Sequence, residues 1–234
     1  MLKKSILSGL AALVCSSLMA QSDALFTNTG GLYIKGGLNL ANVSTESDGS
    51  VNSAKTRASF NAGLLGDIPL ANVVSLQIGA EFTGKGSRAQ YNSSLYTGTY
   101  TFRPYYIEVP VDLVIKVPLA PRVALMLGAG GYGAVGVAGN YDTYIASGSA
   151  SSNSSQKIQW TDQGDVTTGT ENGSGPGVLR RYDFGANFLG GFEMGPVQMT
   201  LGWDMGITKI ASNATNNNDE DKNRVWSLNL AFRL

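Results

Sequence analysis

Between Tyr105 and Pro118 the chain reads YYIEVPVDLVIKVP, and its alternate residues fall into two sets. Tyr105, Ile107, Val109, Val111, Leu113, Ile115 and Val117 form one set; Tyr106, Glu108, Pro110, Asp112, Val114 and Lys116 form the other. A period of two belongs to a β-strand, whose successive side chains point to opposite faces. One face is apolar over its whole length and the other carries charges at every fourth residue, so the strand divides a greasy environment from a polar one. With the apolar face in lipid it is a transmembrane barrel strand, for which ~9–11 residues suffice. With that face inward it lines a soluble barrel.

The N-terminus bears on the choice. Lys3 and Lys4 precede an apolar segment from Ile6 to Leu18, followed by Ala20 and Gln21. This is the pattern of a secretory signal peptide over residues 1–20, too short to span as a helix. Cys15 follows Leu13 and Val14 without the small residue that a lipoprotein cleavage site prefers, so lipidation is not expected. It is also the only Cys, and its removal with the signal leaves no disulfide to hold the fold. Without Lys3 and Lys4 the 17 basic residues become 15 against 17 acidic ones, and no basic patch argues for nucleic acid.

The same alternation recurs along one β-rich domain, read as residues 31–234 after a polar lead over 21–30. Strands are expected at 31–43, 57–68, 73–85, 105–118, 123–137, 178–194, 197–210 and 224–234. In the fifth the period is blurred by Gly128, Gly130, Gly131, Gly133 and Gly136, which suit a crowded interior or a bend. The GxG runs there lie within a strand and do not make a nucleotide loop. Connections alternate between long polar loops and short turns, the longest loop covering 138–177. Long loops at one end and short turns at the other are the mark of an eight-stranded antiparallel up-and-down outer-membrane barrel. An even number of strands closes without an open edge, as lipid requires, and brings both chain ends to the turn side.

Three features favour lipid outside. Aromatic residues on the apolar face gather in two girdles, with Phe60, Phe82, Tyr105, Tyr182, Phe184 and Trp226 near the loops and Phe192 and Phe232 near the turns. The polar face is rich in Gly, Ser, Thr, Asn and Ala, which suits the lumen of a small barrel. The last strand carries Leu230, Phe232 and Leu234 on its apolar face up to the terminus, where a soluble protein gains nothing.

Five segments carry a likeness to a known family: GLYIKGGLNLANV at 31–43, IGAEFTGKGS at 78–87, YIEVPVDLVIKVP at 106–118, RRYDFGANFLGGFEMGPVQMTLGWDMGIT at 180–208 and the terminal NRVWSLNLAFRL. Together the chain resembles the PorT-like branch of the porin-family outer-membrane barrels common in Bacteroidota. The resemblance implies an eight-stranded barrel in the outer membrane. Its surroundings would be outer-membrane lipid, lipopolysaccharide and, during insertion, the assembly machinery. Pro110, which removes a ladder hydrogen bond, is expected to make a bulge or kink.

The inward face collects Lys35, Asp67, Glu81, Lys85, Glu108, Asp112, Lys116, Arg181, Asp183, Glu193, Asp204 and Arg233. The polar network expected to matter comprises Lys35, Glu81, Glu108, Asp112, Lys116, Arg181, Asp183 and Asp204, either as an acidic cation path or ligand pocket or as a salt-bridged filling. An eight-stranded lumen is only wide enough for side chains, which favours the filling and argues against a wide channel. Catalysis is not expected: the chain has no His and no GxSxG elbow. Glu108 and Asp112, four apart on one strand, would lie ~13 Å apart. No cofactor is implied. Residues 147–155, the region 160–165 and the acidic run Asp219 to Asp221 read as solvated loop, with divalent ions, lipopolysaccharide or an envelope protein as their candidate ligands.

Overall fold

The computed structural model describes residues 27–44, 56–92, 97–147, 150–161, 178–208 and 222–234. The signal segment and the run Asp219 to Asp221 lie outside these residues. Strands in chain order are β1 (Gly31–Ser44), β2 (Arg57–Ala71), β3 (Val74–Gly84), β4 (Arg88–Asn92), β5 (Thr97–Ala120), β6 (Val123–Ser147), β7 (Ala150–Lys157), β8 (Gln159–Thr161), β9 (Val178–Arg180), β10 (Tyr182–Met194), β11 (Val197–Gly206) and β12 (Lys222–Arg233).

Eight of them form a closed antiparallel ring, β1–β2–β3–β5–β6–β10–β11–β12, with β12 returning to β1 through pairs that include Leu38↔Leu228. The expected barrel is therefore present, with every neighbour connected up and down. Its turn end carries three two-residue connections, Asn72–Val73, Pro121–Arg122 and Gly195–Pro196. Arg122 (φ 65°) and Gly195 (φ 59°) adopt the left-handed conformation that tight hairpins favour.

The ring is inside-out relative to a water-soluble barrel. Leu38, Leu113 and Leu228 expose 67%, 52% and 53% of their surface on the outer face, while Lys85 and Lys116 are fully buried within. Burying lysines while exposing leucines is unfavourable in water, so the outer face belongs in lipid. The alternation of Tyr105 to Pro118 thus resolves with its apolar set outward, and the glycine-blurred strand obeys the same rule. In β6 Ala124, Met126, Tyr132 and Ala134 are buried inward, and Leu127 and Val137 face out.

Three expectations need correction. Residues 86–101 and 138–177 are not continuous loops, because β4 and the start of β5 occupy part of the first, and the end of β6, β7 and β8 part of the second. These extensions pair as β4–β5–β6–β7 and project beyond the ring. Beyond the lipid neither face has to be apolar, so the period of two disappears and only cross-strand contacts mark the strand. Tyr141 stacks on Tyr100 (6.1 Å) and packs on Phe102 (4.8 Å), and Arg103 pairs with Asp142 at 2.9 Å. The seventh ring strand ends at Gly206 rather than Ile210.

Pro110 makes no bulge. The ladder from β3 to β5 lapses between Ile78↔Val111 and Glu81↔Glu108 but keeps its register on either side. Gly79 opposite the ring makes the room, since a Cβ there would lie 2.8 Å from Pro110 Cγ. The register shifts of β5 against β6 fall instead at Tyr105/Tyr106 and Pro118/Ala120.

Glycine also shapes the closing seam. Gly37 of β1 lies between Asn61 of β2 and Asn229 of β12, and the Asn61 amide reaches across it to donate to Asn229 Oδ1 at 2.8 Å. A Cβ on Gly37 would sit 2.1 Å from that acceptor.

Candidate functional site

Period-two alternation sends the polar residues of all eight strands into one enclosed space, where burial requires each charge to find a partner. The structure solves this with two lysine-centred clusters at different heights and a small chamber between them.

At the turn end Lys116 Nζ meets Asp67 Oδ2 at 2.6 Å and Glu193 Oε2 at 2.7 Å. It also donates to Asn28 Oδ1 at 2.9 Å, while the Asn28 amide donates to Ser75 Oγ at 2.9 Å. The segment before β1 therefore helps to close this end. Gln198 donates to both Asp67 Oδ2 and Glu193 Oε2 at 3.1 Å. Tyr33, Leu65 and Ala231 fill the space alongside.

At the loop end Lys85 Nζ lies 2.6 Å from Glu108 Oε2 and 3.0 Å from Asp183 Oδ2, with its charge 3.9 Å from the centre of the Tyr132 ring. Asp183 Oδ2 also accepts from Tyr132 Oη (3.2 Å) and Asn223 Nδ2 (2.9 Å), and its Oδ1 from Thr208 Oγ1 (2.9 Å). Trp160 covers this cluster. β8 lies parallel to β9, and its indole meets Tyr106 edge-on at 5.5 Å over the bare backbone of Gly136. Gly136→Val is expected to expel that ring, since a Cβ would sit 2.3 Å from it. In a Trp203→Phe/Trp226→Phe background the change should raise acrylamide quenching of the remaining tryptophan and cost about 1–3 kcal/mol of stability. Unchanged quenching would show that Trp160 is not held there.

The chamber between the clusters has a volume of about 50 Å³ and is lined by Lys35, Glu81, Asp112, Asn187, Asp204, Asn61 and their neighbours. Lys35 Nζ pairs with Glu81 Oε2 at 2.6 Å, and Asn187 Nδ2 donates to Asp112 Oδ2 at 3.2 Å. Among the described residues the ring encloses the carboxylates Asp67, Glu81, Glu108, Asp112, Asp183, Glu193 and Asp204 but only the lysines Lys35, Lys85 and Lys116. Among the described residues, Asp112 and Asp204 form no ion pair with a lysine or arginine.

Of the residues singled out from the sequence, Glu108 and Asp183 thus meet at the upper cluster and Lys116 at the lower one. Lys35, Glu81, Asp112 and Asp204 meet at the chamber. Arg181 is half-buried at the bend between β9 and β10, where its carbonyl accepts from Gly136 N–H at 2.7 Å. The outward aromatics Phe60, Phe82 and Tyr105 touch one another at 5.3–6.2 Å, with Arg57 over the Tyr105 ring. Tyr182, Phe184, Phe192, Trp226 and Phe232 are likewise on the outer surface. Trp203, absent from the expected girdles, stacks between Trp226 (5.6 Å) and Phe188 (5.8 Å).

Sequence reading missed Tyr132, Gln198, Asn28 and Trp160. Tyr132 becomes visible once the glycines of β6 are counted as ordinary positions of a strand. Trp160 reads from the sequence only as part of the solvated region 160–165, because it enters the mouth from a segment without periodicity.

The model of one protein family, the outer membrane protein beta-barrel domain, matches residues 19–233. Curated protein sequences give no significant match. Among solved structures the chain is similar to Ail, the attachment invasion locus protein of Yersinia pestis, with 14% identity over 88% of this chain and 99% of that one and a TM-score of 0.37. It is similar also to neisserial surface protein A, with 13% identity over 87% and 97% and a TM-score of 0.40. The N-terminal β-barrel domain of Pseudomonas aeruginosa OprF gives 8% identity over 88% and 100% and a TM-score of 0.31.

Proposed function

The chain belongs to the outer membrane protein beta-barrel domain family, and from that premise we propose that it is a non-catalytic barrel acting as a structural or partner-binding element of the outer membrane. It is exported by residues 1–20 and sits in lipid and lipopolysaccharide with its long loops outward. The finer placement, in the PorT-like branch of Bacteroidota barrels, rests on the sequence segments quoted above.

The observation that carries the reading is the occluded lumen. Two buried lysine clusters and the Trp160 cover leave a chamber of about 50 Å³, too small for a solute path. Work on a partner then falls to what stands outside the ring. The extension β4–β5–β6–β7 offers polar edges and the exposed Tyr144 and Ile145 beyond the lipid, with Tyr100 and Phe102 packed on the buried Tyr141.

A narrow ion path is the second reading, favoured by the two acidic residues that no lysine pairs. Single-channel recording of the refolded barrel in planar bilayers separates the two. A silent bilayer is expected. A steady current that falls in Asp112→Asn would establish the path and overturn the occluded reading.

A further inference from the structure

We propose that the lumen chamber is a cation site, taking one divalent ion with part of its water shell between Asp112 and Asp204. The acidic residues alone would not carry this, since a carboxylate cluster can share protons or water. A second observation concerns acceptors whose orientation is already fixed. Asn187 spends its Nδ2 on Asp112, and Asn61 spends its Nδ2 on Asn39 Oδ1 (2.6 Å) and Asn229 Oδ1. Neither amide can flip without breaking those bonds. Asn187 Oδ1 and Asn61 Oδ1 are thereby left as buried acceptors without a donor, and Asp112 Oδ1 is in the same position.

All three residues are more than nine-tenths buried and line the same chamber. Buried acceptor oxygens without a donor, beside two carboxylates, suit a hard cation, and carboxylate, amide carbonyl and water together form the oxygen set that Ca²⁺ or Mg²⁺ accepts. Lys35 is taken by Glu81, so Asp112 and Asp204 are the carboxyl groups left to hold an ion. Among the described residues no three carboxylates group closely enough to grip a bare ion, so water completes the shell. The volume leaves room for the ion and about two or three waters, at roughly 10–15 Å³ each. The proposal goes beyond the structural reading above and does not depend on what the loops bind.

The test uses the full-length mature barrel refolded in micelles after chelator treatment. Its thermal midpoint is read by circular dichroism in CaCl₂, MgCl₂, NaCl and choline chloride at matched ionic strength. A rise of roughly 5–10 °C is expected with a saturating divalent salt, relative to choline. The rise should vanish in Asp112→Asn and Asp204→Asn but persist in Asp142→Asn, which alters only the projecting sheet. The difference between salts is read within each variant, because removing a buried charge shifts the absolute midpoint by itself. Equal midpoints in all four salts, an equal rise in NaCl, or a rise that survives both lumen substitutions would overturn the proposal. Should the variants not refold, metal content decides. Wild-type barrel equilibrated with Ca²⁺ and desalted should retain about one ion per chain, and a barrel that retains none overturns the site.

Discussion

Lys85→Met is expected to destabilise the barrel by about 3–5 kcal/mol, because it takes the ammonium away from two buried carboxylates that it holds together. Glu108 and Asp183 are 2% and 0% exposed, and the Lys85 ammonium lies 2.6 and 3.0 Å from them. Met matches the stem of Lys and fills the space over Tyr132, so the loss reports charge rather than packing. Urea unfolding in lipid vesicles, or the temperature at which the compact form disappears on a gel, measures it. Adding Glu108→Gln and Asp183→Asn to Lys85→Met should recover most of the loss, as buried ion groups replaced together cost far less than one removed alone. Arg103→Ala breaks a pair in which the Arg is half exposed and should cost no more than about 1 kcal/mol. A Lys85→Met barrel as stable as the parent would mean that the upper cluster is not closed to water.

Leu228→Arg should cost about 2–4 kcal/mol, the range for a cation near the middle of the lipid band. Leu228 is paired with Leu38 on one side and Leu201 on the other, and all three project outward. The companion change is Tyr144→Arg on the projecting sheet, where the same cation is solvated and should cost about 0–1 kcal/mol. Depth dependence is the point of the comparison. Two substitutions of equal cost would remove the reason for placing the leucine belt in lipid.

The ring was legible in the sequence because lipid outside and a crowded lumen inside impose opposite chemistry on alternate residues. Tyr105 to Pro118, Leu230 to Leu234 and Tyr182 to Met194 announce their faces directly. Where the constraint ends, so does legibility. Ala138–Ser147 and Ala150–Lys157 look like loop because water lies on both their faces, although their hydrogen-bonded registers are continuous. Within the lumen, parity told which residues point inward but not which of them meet. Lys85 stands beyond the end of β3, and its pairing with Asp183, 98 residues away, depends on how the ring closes. Asn28 was assigned to a lead outside the barrel, yet it is bonded to Lys116 within it. Pro110 suggests a bulge or kink from the sequence, and the absent side chain of Gly79 explains why the ladder lapses there without a shift of register.

The amide that crosses Gly37 has a consequence for the order of assembly. Asn61 and Asn229 are 168 residues apart, and their bond lies across the strand pair that joins the beginning of the ring to its end. It cannot form until nearly the whole chain has been made and inserted, so the ring is riveted late, as befits a topology dominated by distant pairings and slow to fold. Gly37→Ala should accordingly slow the final closure step of refolding, while hairpins such as β10–β11 form at their usual rate. A nascent barrel would then stay open along one side until its last strand arrives.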